Sequence, residues 1–384
     1  MTEATVQKPR LNWLNIVFLL GTLLIALIGT PWYLLKVGLG WPEAVTFLVL
    51  WMFVGLSVTA GYHRLFAHKT YQAAWPVRLF FLVFGAGALE NSILNWAADH
   101  RVHHAHVDED RDPYNIQKGF WWAHIGWIFF ENEPIPQSVV RDLAEDPLVR
   151  WQDRYYKWIG LGVALGIPLA VGLATGRVLG CLLIGGVLRV VVSHHGTFFI
   201  NSLCHMVGRR TYSTEHSARD SAVMALLAFG EGYHNYHHSF PFDYRNGVKV
   251  WQFDPAKWTI WTLSRLGLAR DLRRAPEAAV LKAKIEVQFE RAKERLQQLP
   301  QVVHDFREHH EARLHEAYVS LQSALHELIS LERRQRPKAS SAPGEEHLPL
   351  ETRLGLTYRA LEEALGEWKR TLRQMKRLPI AMPA

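Results

Sequence analysis

The sequence predicts an all-α integral membrane protein with four transmembrane helices, a helical cytosolic cap that holds a histidine-rich metal centre, and a helical C-terminal extension. Long uncharged apolar runs alternate with polar, aromatic-rich segments, so the mean hydropathy is near zero although 49% of the 384 residues are hydrophobic. The polar segments contain two His-x-x-His-His triplets. From Pro276 onward Ala, Glu, Lys, Arg, Leu and Gln dominate, as in long amphipathic helices.

The first two apolar runs are predicted to form a hairpin across the membrane. Leu11 to Leu35 is nearly all apolar, and at about 1.5 Å per residue it is long enough to cross a bilayer of about 30 Å. It continues well past the length of a signal peptide and ends in no small-residue cleavage site, so we expect it to be retained. Trp41 to about Gly61 then returns to the starting side, where it delivers His63, Arg64 and His68.

The third apolar run, Val77 to Trp96, is not expected to cross the membrane. It contains Glu90, Asn91 and Asn95, and a spanning helix would bury these polar groups at a cost of several kcal/mol each. We therefore expect a buried or interfacial hairpin that folds back on one side, which keeps the histidines before and after it in one compartment. Arg101 to about Lys157 is charged and Trp-rich, and is predicted to be a folded membrane-proximal segment.

Two further spans, Tyr156 to Thr175 and Val178 to about Phe199, are predicted to form a second hairpin. Lys and Arg residues flank the helix ends mainly on one side, and the positive-inside rule makes that side cytoplasmic. We therefore expect both termini and all the clustered histidines in the cytoplasm. The cytoplasmic cations are Lys8, Arg10, Arg64, Lys69, Arg154, Lys157, Arg209 and Arg210, against Lys36 and Arg177 on the other side.

Charge and cysteine content narrow the function classes. The 43 Lys and Arg residues exceed the 36 Asp and Glu residues, a mildly basic balance that suits an anionic membrane surface. No nucleic-acid motif or basic stripe with interleaved aromatics is present, so we expect no nucleic-acid partner. Cys181 and Cys204 make no disulfide framework and have no zinc or redox spacing, which fits a reducing, cytosol-facing environment.

The histidines are the strongest functional signal. In the central triplet they lie at i, i+3 and i+4, so three imidazoles share one face of a helix, and the same pattern recurs at 234–238. Divided over two metals, the clustered imidazoles offer four or five nitrogen ligands each, which suits iron better than a tetrahedral zinc site. We therefore predict a two-metal centre. The nine candidate ligands are His63, His68, His100, His103, His104, His205, His234, His237 and His238.

The positions of the other histidines and of Glu231 refine this prediction. His63 and His68 are five residues apart, about 140° around an ideal α-helix, so we expect them to serve two neighbouring metals. Glu231 precedes His234 in a Glu-x-x-His element, and its carboxylate is expected to orient a ligand histidine. Histidines outside the clusters are His106, His124, His194, His195 and His216, of which His194 and His195 are expected to pack or hydrogen-bond. Those of the tail are expected to be solvated, namely His304, His309, His310, His315, His326 and His347.

In combination these motifs resemble the membrane fatty acyl desaturases of the stearoyl-CoA Δ9 type, in the bacterial-like form without a fused cytochrome b5. The resemblance covers roughly Leu11 to Asp271 and does not extend to the tail after Pro276. The matching segments are Gly-Tyr-His-Arg-Leu-Phe-Ala-His (61–68), Asp-His-Arg-Val-His-His (99–104), Asp112-Pro113, Gly-Phe-Trp-Trp-Ala-His-Ile-Gly-Trp (119–127), Asn-Ser-Leu-Cys-His (201–205) and Glu-Gly-Tyr-His-Asn-Tyr-His-His-Ser-Phe-Pro (231–241).

The resemblance implies two iron ions (Fe2+/Fe3+) held by the nine histidines, with Asn201 reaching one iron through water. It implies O2-dependent removal of two hydrogens from a saturated acyl chain to leave a cis double bond, expected at Δ9, in the inner membrane of a bacterium. It also assigns substrate contacts to Asn91, Trp96 and Asp99. No haem-binding His-Pro-Gly-Gly element or four-cysteine iron–sulfur spacing is present, so electrons are expected from a separate ferredoxin, rubredoxin or cytochrome b5 type protein.

Two departures from the family pattern bear on the substrate carrier. Where animal acyl-CoA enzymes have cations that help hold CoA, this sequence has Ala98 and roughly Glu131-Asn132. The loss of cations and the gain of a carboxylate weaken the recognition of phosphates. We therefore expect an acyl-lipid substrate at least as readily as acyl-CoA.

Spacing alone leaves two other functions open. A di-iron hydroxylase of alkyl or fatty acyl chains has similar ligands and differs in its product. A histidine-rich membrane metal transporter or sensor needs polar groups along the crossing, and the first and third spans supply none. By composition the chain divides into a transmembrane desaturase domain with its cap, residues 1–275, and a charged helical extension, 276–384, with a linker near 337–349. The extension is expected to be a solvated helical appendage, with oligomerisation or donor docking as alternatives.

Overall fold

The computed structural model describes residues 10–131, 135–298, 304–334 and 350–377. These residues are mainly helical, which confirms the predicted all-α class, and the strands Gln72–Ala73 and Ala269–Arg270 form one short antiparallel pair. They separate into two compact units. One contains the described residues through Arg210 together with Glu215–Arg274; the other contains Thr211–Thr214 and the described residues from Ala275 onward. The predicted linker near 337–349 lies outside the described residues.

Within the described residues, four helices are long and apolar enough to cross a membrane, as predicted. The third begins nine residues earlier than expected, because Asp146 caps it by accepting hydrogen bonds from the N–H groups of Leu148 and Val149. The second helix continues past His63 and ends at Ala67, just before His68. We call these helices span 1 (Trp13–Lys36), span 2 (Trp41–Ala67), span 3 (Pro147–Thr175) and span 4 (Val178–Met206).

The third apolar run forms a helix, Trp75–Ala86, that is too short to span a membrane and turns back into the helix Ile93–His106. We call the latter the box helix because it carries the central triplet. Span 4 satisfies carbonyl groups of the turn between these helices. The buried Arg189 donates from Nη1 to the carbonyl of Gly87 at 2.7 Å, and His194 donates from Nε2 to the carbonyl of Ala88 at 2.7 Å.

At the opposite end of the spans, Glu43 is fully buried and joins the two hairpins. Tyr33 donates to Glu43 Oε1 at 2.7 Å, and Arg177 forms an ion pair with the same carboxylate. Arg177 Nη2 also donates to the carbonyl of Gly38 at 2.9 Å. The turn between spans 1 and 2 is therefore tied to the turn between spans 3 and 4.

Helices shorter than the spans complete the first unit. One of them, His234–Ser239, carries the second histidine triplet. Their bounds are Phe120–His124, Arg141–Ala144, Ala222–Leu227, His234–Ser239 and Pro255–Arg265.

The second unit contains three helices, Glu277–Gln297, His304–Arg334 and Leu350–Arg377, which confirms the helical prediction for the tail. These helices are not individually solvated, because Ile285, Leu321 and Trp368 are among the residues that form a buried core between them. The apolar positions that form this core are spread among many charged residues, so the sequence pattern did not reveal them. His309, His315 and His326 are exposed as expected, whereas His347 lies outside the described residues.

Span 2 packs closely against the helix Trp75–Ala86 through glycine. A Cβ atom on Gly61 would lie 2.6 Å from Cβ of Phe81, and one on Gly85 would lie 2.4 Å from Cε1 of Tyr62. Such small residues allow helix backbones to approach in a membrane.

We predict that Gly61→Ala destabilises the protein, because overpacking of a close contact costs about 1–3 kcal/mol. The matched control is Gly21→Ala in span 1, where an added Cβ meets no atom within 4 Å. Thermal unfolding of the detergent-solubilised protein should show a Tm several degrees lower for the first variant and no loss for the second. Equal Tm values for both variants would contradict the close packing.

Candidate metal centre

The nine clustered histidines meet in two adjacent groups. In each group the nearest ring nitrogens all lie within 4.8 Å of one another. We call them the five-histidine group, made of His63, His68, His100, His104 and His237, and the four-histidine group, made of His103, His205, His234 and His238.

His63 and His68 lie in the same group, so the expectation that they serve different metals is wrong. Their segment, Ser57–Ala67, is π-helical, and the N–H of His68 donates to the carbonyl of His63 at 3.0 Å. Hydrogen bonds between residues five apart place such residues on one face, whereas the expected 140° assumed an ideal α-helix. The two ring centroids are therefore only 4.9 Å apart.

Each triplet contributes to both groups. In the box helix His100 and His104 belong to the five-histidine group and His103 to the other. In the helix His234–Ser239 the assignment is reversed, since the i, i+4 pair joins the four-histidine group and the middle histidine joins the five-histidine group. Two helices that each carry histidines at i, i+3 and i+4 thus contribute to two adjoining groups, as the repeated motif predicted.

The Nε2 atoms that face the inside of each group lie too close together for all of them to carry a proton. The Nε2 atoms of His68 and His100 lie 2.8 Å apart, and those of His205 and His234 lie 3.0 Å apart. Unprotonated nitrogens repel one another at such distances unless a cation or a proton lies between them. The donor set therefore fits a metal ion in each group.

The outer nitrogens have fixed partners, as ligand histidines require. His63 Nδ1–H donates to Glu231 at 2.9 Å, and His103 Nδ1–H donates to Asp112 at 2.9 Å. His205 Nδ1 lies 2.7 Å from the hydroxyl of Ser217. These contacts turn the Nε2 lone pairs inward.

Burial lowers the pKa of several of the clustered imidazoles. Desolvation, with smaller contributions from neighbouring histidines, lowers the pKa of each of the following rings well below its usual value. Because metals bind neutral imidazole, the groups are ready to bind a cation at neutral pH. The rings are His100, His104, His234, His237 and His238.

A mainly apolar cavity between spans 2 and 4 reaches both groups. Val58, Val192 and Phe229 contribute to its walls, and His100 and His103 lie on its surface. An unbranched hydrocarbon chain in this cavity would lie against both groups.

Glu90 contributes a carboxyl group to the same wall. Burial raises the pKa of Glu90 to about 8, so this carboxyl is mostly protonated at neutral pH. The wall therefore carries little charge where an apolar ligand would lie.

Comparison with known proteins identifies the family. The family model described as fatty acid desaturase matches residues 39–270, more than half of the chain. The chain belongs to the fatty acid desaturase family. The resemblance predicted from the motifs is thereby confirmed.

Relatives of the chain include curated proteins from fungi and cyanobacteria. It is 38% identical over 286 residues to the probable acyl-CoA desaturase of Schizosaccharomyces pombe and 38% identical over 282 residues to acyl-CoA desaturase 1 of Saccharomyces cerevisiae. Each match covers 72% of this chain, which spans only 57% and 54% of the length of those two proteins. It is also 34% identical over 279 residues to the sn-1 stearoyl-lipid 9-desaturase of Anabaena variabilis, covering 72% of this chain and 98% of that protein.

The predicted substrate residues, and Asn201 predicted for the metal, occupy different places in the structure. Trp96 lines the cavity and stacks on His100, with ring centroids 4.9 Å apart, and Asn201 also lies on the cavity wall. Asn91 and Asp99 do not belong to the described cavity lining. The N–H of Asn91 donates to the hydroxyl of Tyr156 at 2.9 Å, and burial raises the pKa of Asp99 to about 7.

Glu231 is held in a buried polar network, as expected of a residue that orients a ligand. Arg64 Nη2 lies 3.0 Å from one oxygen, and Asn246 donates to the other at 2.7 Å. Burial alone would raise the pKa of Glu231, but its interactions with His63 and Arg64 lower it below its usual value. Glu231 is therefore ionised and accepts the His63 proton.

The remaining histidines of this unit lie outside both groups. His106 pairs with Glu109 at 3.0 Å on the surface, while His124 and His195 contact each other at 3.0 Å. The ring of His216 lies 5.2 Å from that of His238. Neither His106 nor His216 belongs to either nitrogen cluster.

Sequence reasoning missed several residues that fix the ligands. Asp112 was identified only as part of a family motif, and Ser217 was not identified. Many Asp and Ser residues lie near the clustered histidines in the sequence. Which of them contact a ligand depends on long-range packing, so the sequence does not single them out.

We predict that Glu231→Gln weakens metal binding to the five-histidine group by about 10–100-fold, because an amide no longer provides the charge that holds the His63 proton. The control is Glu109→Gln, which alters another His–Glu pair of 3.0 Å outside both groups. Metal affinity is measured by competition with a chelator, using only monodisperse protein. Unchanged affinity in folded Glu231→Gln protein would refute the orienting role.

Proposed function

We propose that the protein is an O2-dependent fatty acyl desaturase that introduces a cis double bond, at Δ9, into a saturated acyl chain. The observation that carries the proposal is the meeting of two histidine groups with an apolar cavity between membrane spans. The names of the relatives support desaturation over hydroxylation, because they include acyl-CoA desaturases and a stearoyl-lipid 9-desaturase.

We assign two iron ions to the site, one to each histidine group, with Asn201 reaching one iron through water. Imidazole is a normal ligand of iron. The five nitrogens of the five-histidine group exceed the four ligands of tetrahedral zinc. Bound iron supplies the O2 activation that an unactivated C–H bond requires. The balanced reaction consumes O2, two electrons and two protons, takes two hydrogens from adjacent carbons, and yields the alkene and two water molecules.

Side chains of the protein bind and align the acyl substrate. Apolar side chains of spans 2 and 4 exclude water from the acyl chain, and Trp96 holds the chain beside His100. Because His100 and His103 both face the cavity, adjacent carbons of one chain can lie against both groups. Alignment of this kind supplies much of the selectivity for one pair of carbons.

The electrons are assigned to a separate ferredoxin, rubredoxin or cytochrome b5 type protein. The distribution of Lys and Arg around the spans supports an orientation with the active site and both termini in the cytoplasm. We place the protein in the inner membrane of a bacterium.

The substrate carrier is proposed to be a membrane lipid at least as readily as CoA. Ala98 is buried and offers no charge, while Glu131 is exposed and carries a negative charge. Asn132 lies outside the described residues. The relatives include enzymes named for each carrier, so the local charges are the evidence that favours the lipid.

Expression in a host that lacks this activity should produce a new cis-monounsaturated fatty acid, detected by gas chromatography and mass spectrometry. His103→Ala should abolish the product, since it removes a nitrogen of the four-histidine group. His106→Ala is the matched control and should retain the product. A hydroxy fatty acid in place of the alkene would assign the protein to the hydroxylases.

The purified protein, supplied with an electron donor, is expected to desaturate phospholipid acyl chains. Glu131→Lys should lower the KM for acyl-CoA several-fold while leaving phospholipid turnover unchanged, because it restores a cation for phosphate. Both rates are measured with isotopically labelled substrates. Turnover of acyl-CoA without phospholipid would contradict the lipid assignment.

A further inference from the structure

Asp108 occupies an unusual position just after the box helix. Its backbone has φ of 67°, a left-handed conformation that residues other than glycine seldom adopt. Its Oδ2 accepts the N–H of Ser217 at 2.6 Å, and its Oδ1 accepts the hydroxyl of Ser217 at 2.5 Å. Strained backbone of this kind persists where the surroundings fix it, and it often occurs at functional sites.

The direction of the hydrogen bonds around Ser217 follows from the number of protons. An ionised carboxylate only accepts, and Ser217 has one hydroxyl proton, which it donates to Asp108. Ser217 Oγ must therefore accept at its contact with His205 Nδ1, which lies 2.7 Å away. The single proton of a neutral His205 is then on Nδ1, and Nε2 faces the four-histidine group with a free lone pair.

The same residue is linked to a second member of the group. The N–H of Asp108 donates to Asp112 Oδ2 at 3.2 Å, and Asp112 Oδ1 accepts from His103 Nδ1 at 2.9 Å. Asp108 thus joins the partners of His205, on span 4, to those of His103, on the box helix.

We propose that Asp108 is a positioning residue that sets the tautomer of His205 and thereby completes the four-histidine metal site. The proposal rests on the two-metal centre of the proposed function. It concerns which nitrogen of His205 carries the proton, so it makes a prediction that differs from simple structural support.

Asp108→Asn is the informative substitution. Asparagine tolerates a left-handed backbone, so the loop can keep its conformation. The N–H of Ser217 cannot change direction, so the amide oxygen must face it and the amide NH2 must face Ser217 Oγ. The hydroxyl of Ser217, no longer held by a carboxylate, is then available to donate to His205 Nδ1. In that arrangement the His205 proton lies on Nε2, where it competes with the metal.

The experiment titrates the full-length, metal-stripped protein in detergent with Co2+ and follows the visible absorption of bound cobalt. Wild type should bind two ions, while Asp108→Asn should bind one normally and the other about 10–100-fold more weakly. Asp110→Asn is the control, because it makes the same change on an exposed residue of the same loop. Circular dichroism verifies that each variant is folded.

The double variant Asp108→Asn/Ser217→Ala separates tautomer control from structural support. Removing the misdirected hydroxyl should restore part of the affinity lost in Asp108→Asn, whereas loss of mere structural support would make the double variant equal or worse. Absence of this rescue, or two ions bound with wild-type affinity in Asp108→Asn, would overturn the role of Asp108. Failure of wild type to bind two ions would instead overturn the two-metal centre itself.

Discussion

The crowding of nine clustered imidazoles, most of them buried, is the constraint on which the rest of the structure depends. Neutral rings in an apolar interior must each place a proton somewhere, and their inner nitrogens cannot all carry one at contact distance. Fixed acceptors on the outer side, such as Glu231 and Asp112, take protons away from the centre. The site therefore depends on its surrounding acceptors as much as on the rings.

The membrane spans meet this constraint by rigid packing. Gly61 and Gly85 bring span 2 and its neighbouring helix into close contact, next to the first histidine. Arg189 and His194 bind carbonyls of the adjoining turn, and Glu43 fixes the far end of the hairpins. Polar contacts at both ends of apolar helices thus limit sliding, which would separate the ligand rings.

The sequence predicted the elements better than their local geometry. Apolar length identified the four spans, and the histidine motifs identified the nine candidate ligands, with four or five for each of two metals. The spacing argument failed for His63 and His68, because a residue spacing gives an angle only when a helix type is assumed. It also failed for Asp108 and Ser217, whose contact joins residues 109 positions apart and has no periodic pattern. The apolar core of the tail was hidden among its many charges.

The π-helical stretch of span 2 makes the centre sensitive to chain length as well as to residue identity. A substitution within Ser57–Ala67 changes one side chain and leaves the register of His63 and His68 intact. Insertion of a single residue between them would put the two histidines six residues apart and rotate one ring away from the other. Part of the information that specifies this site is therefore a count of residues, and insertions or deletions in related sequences are as informative as substitutions.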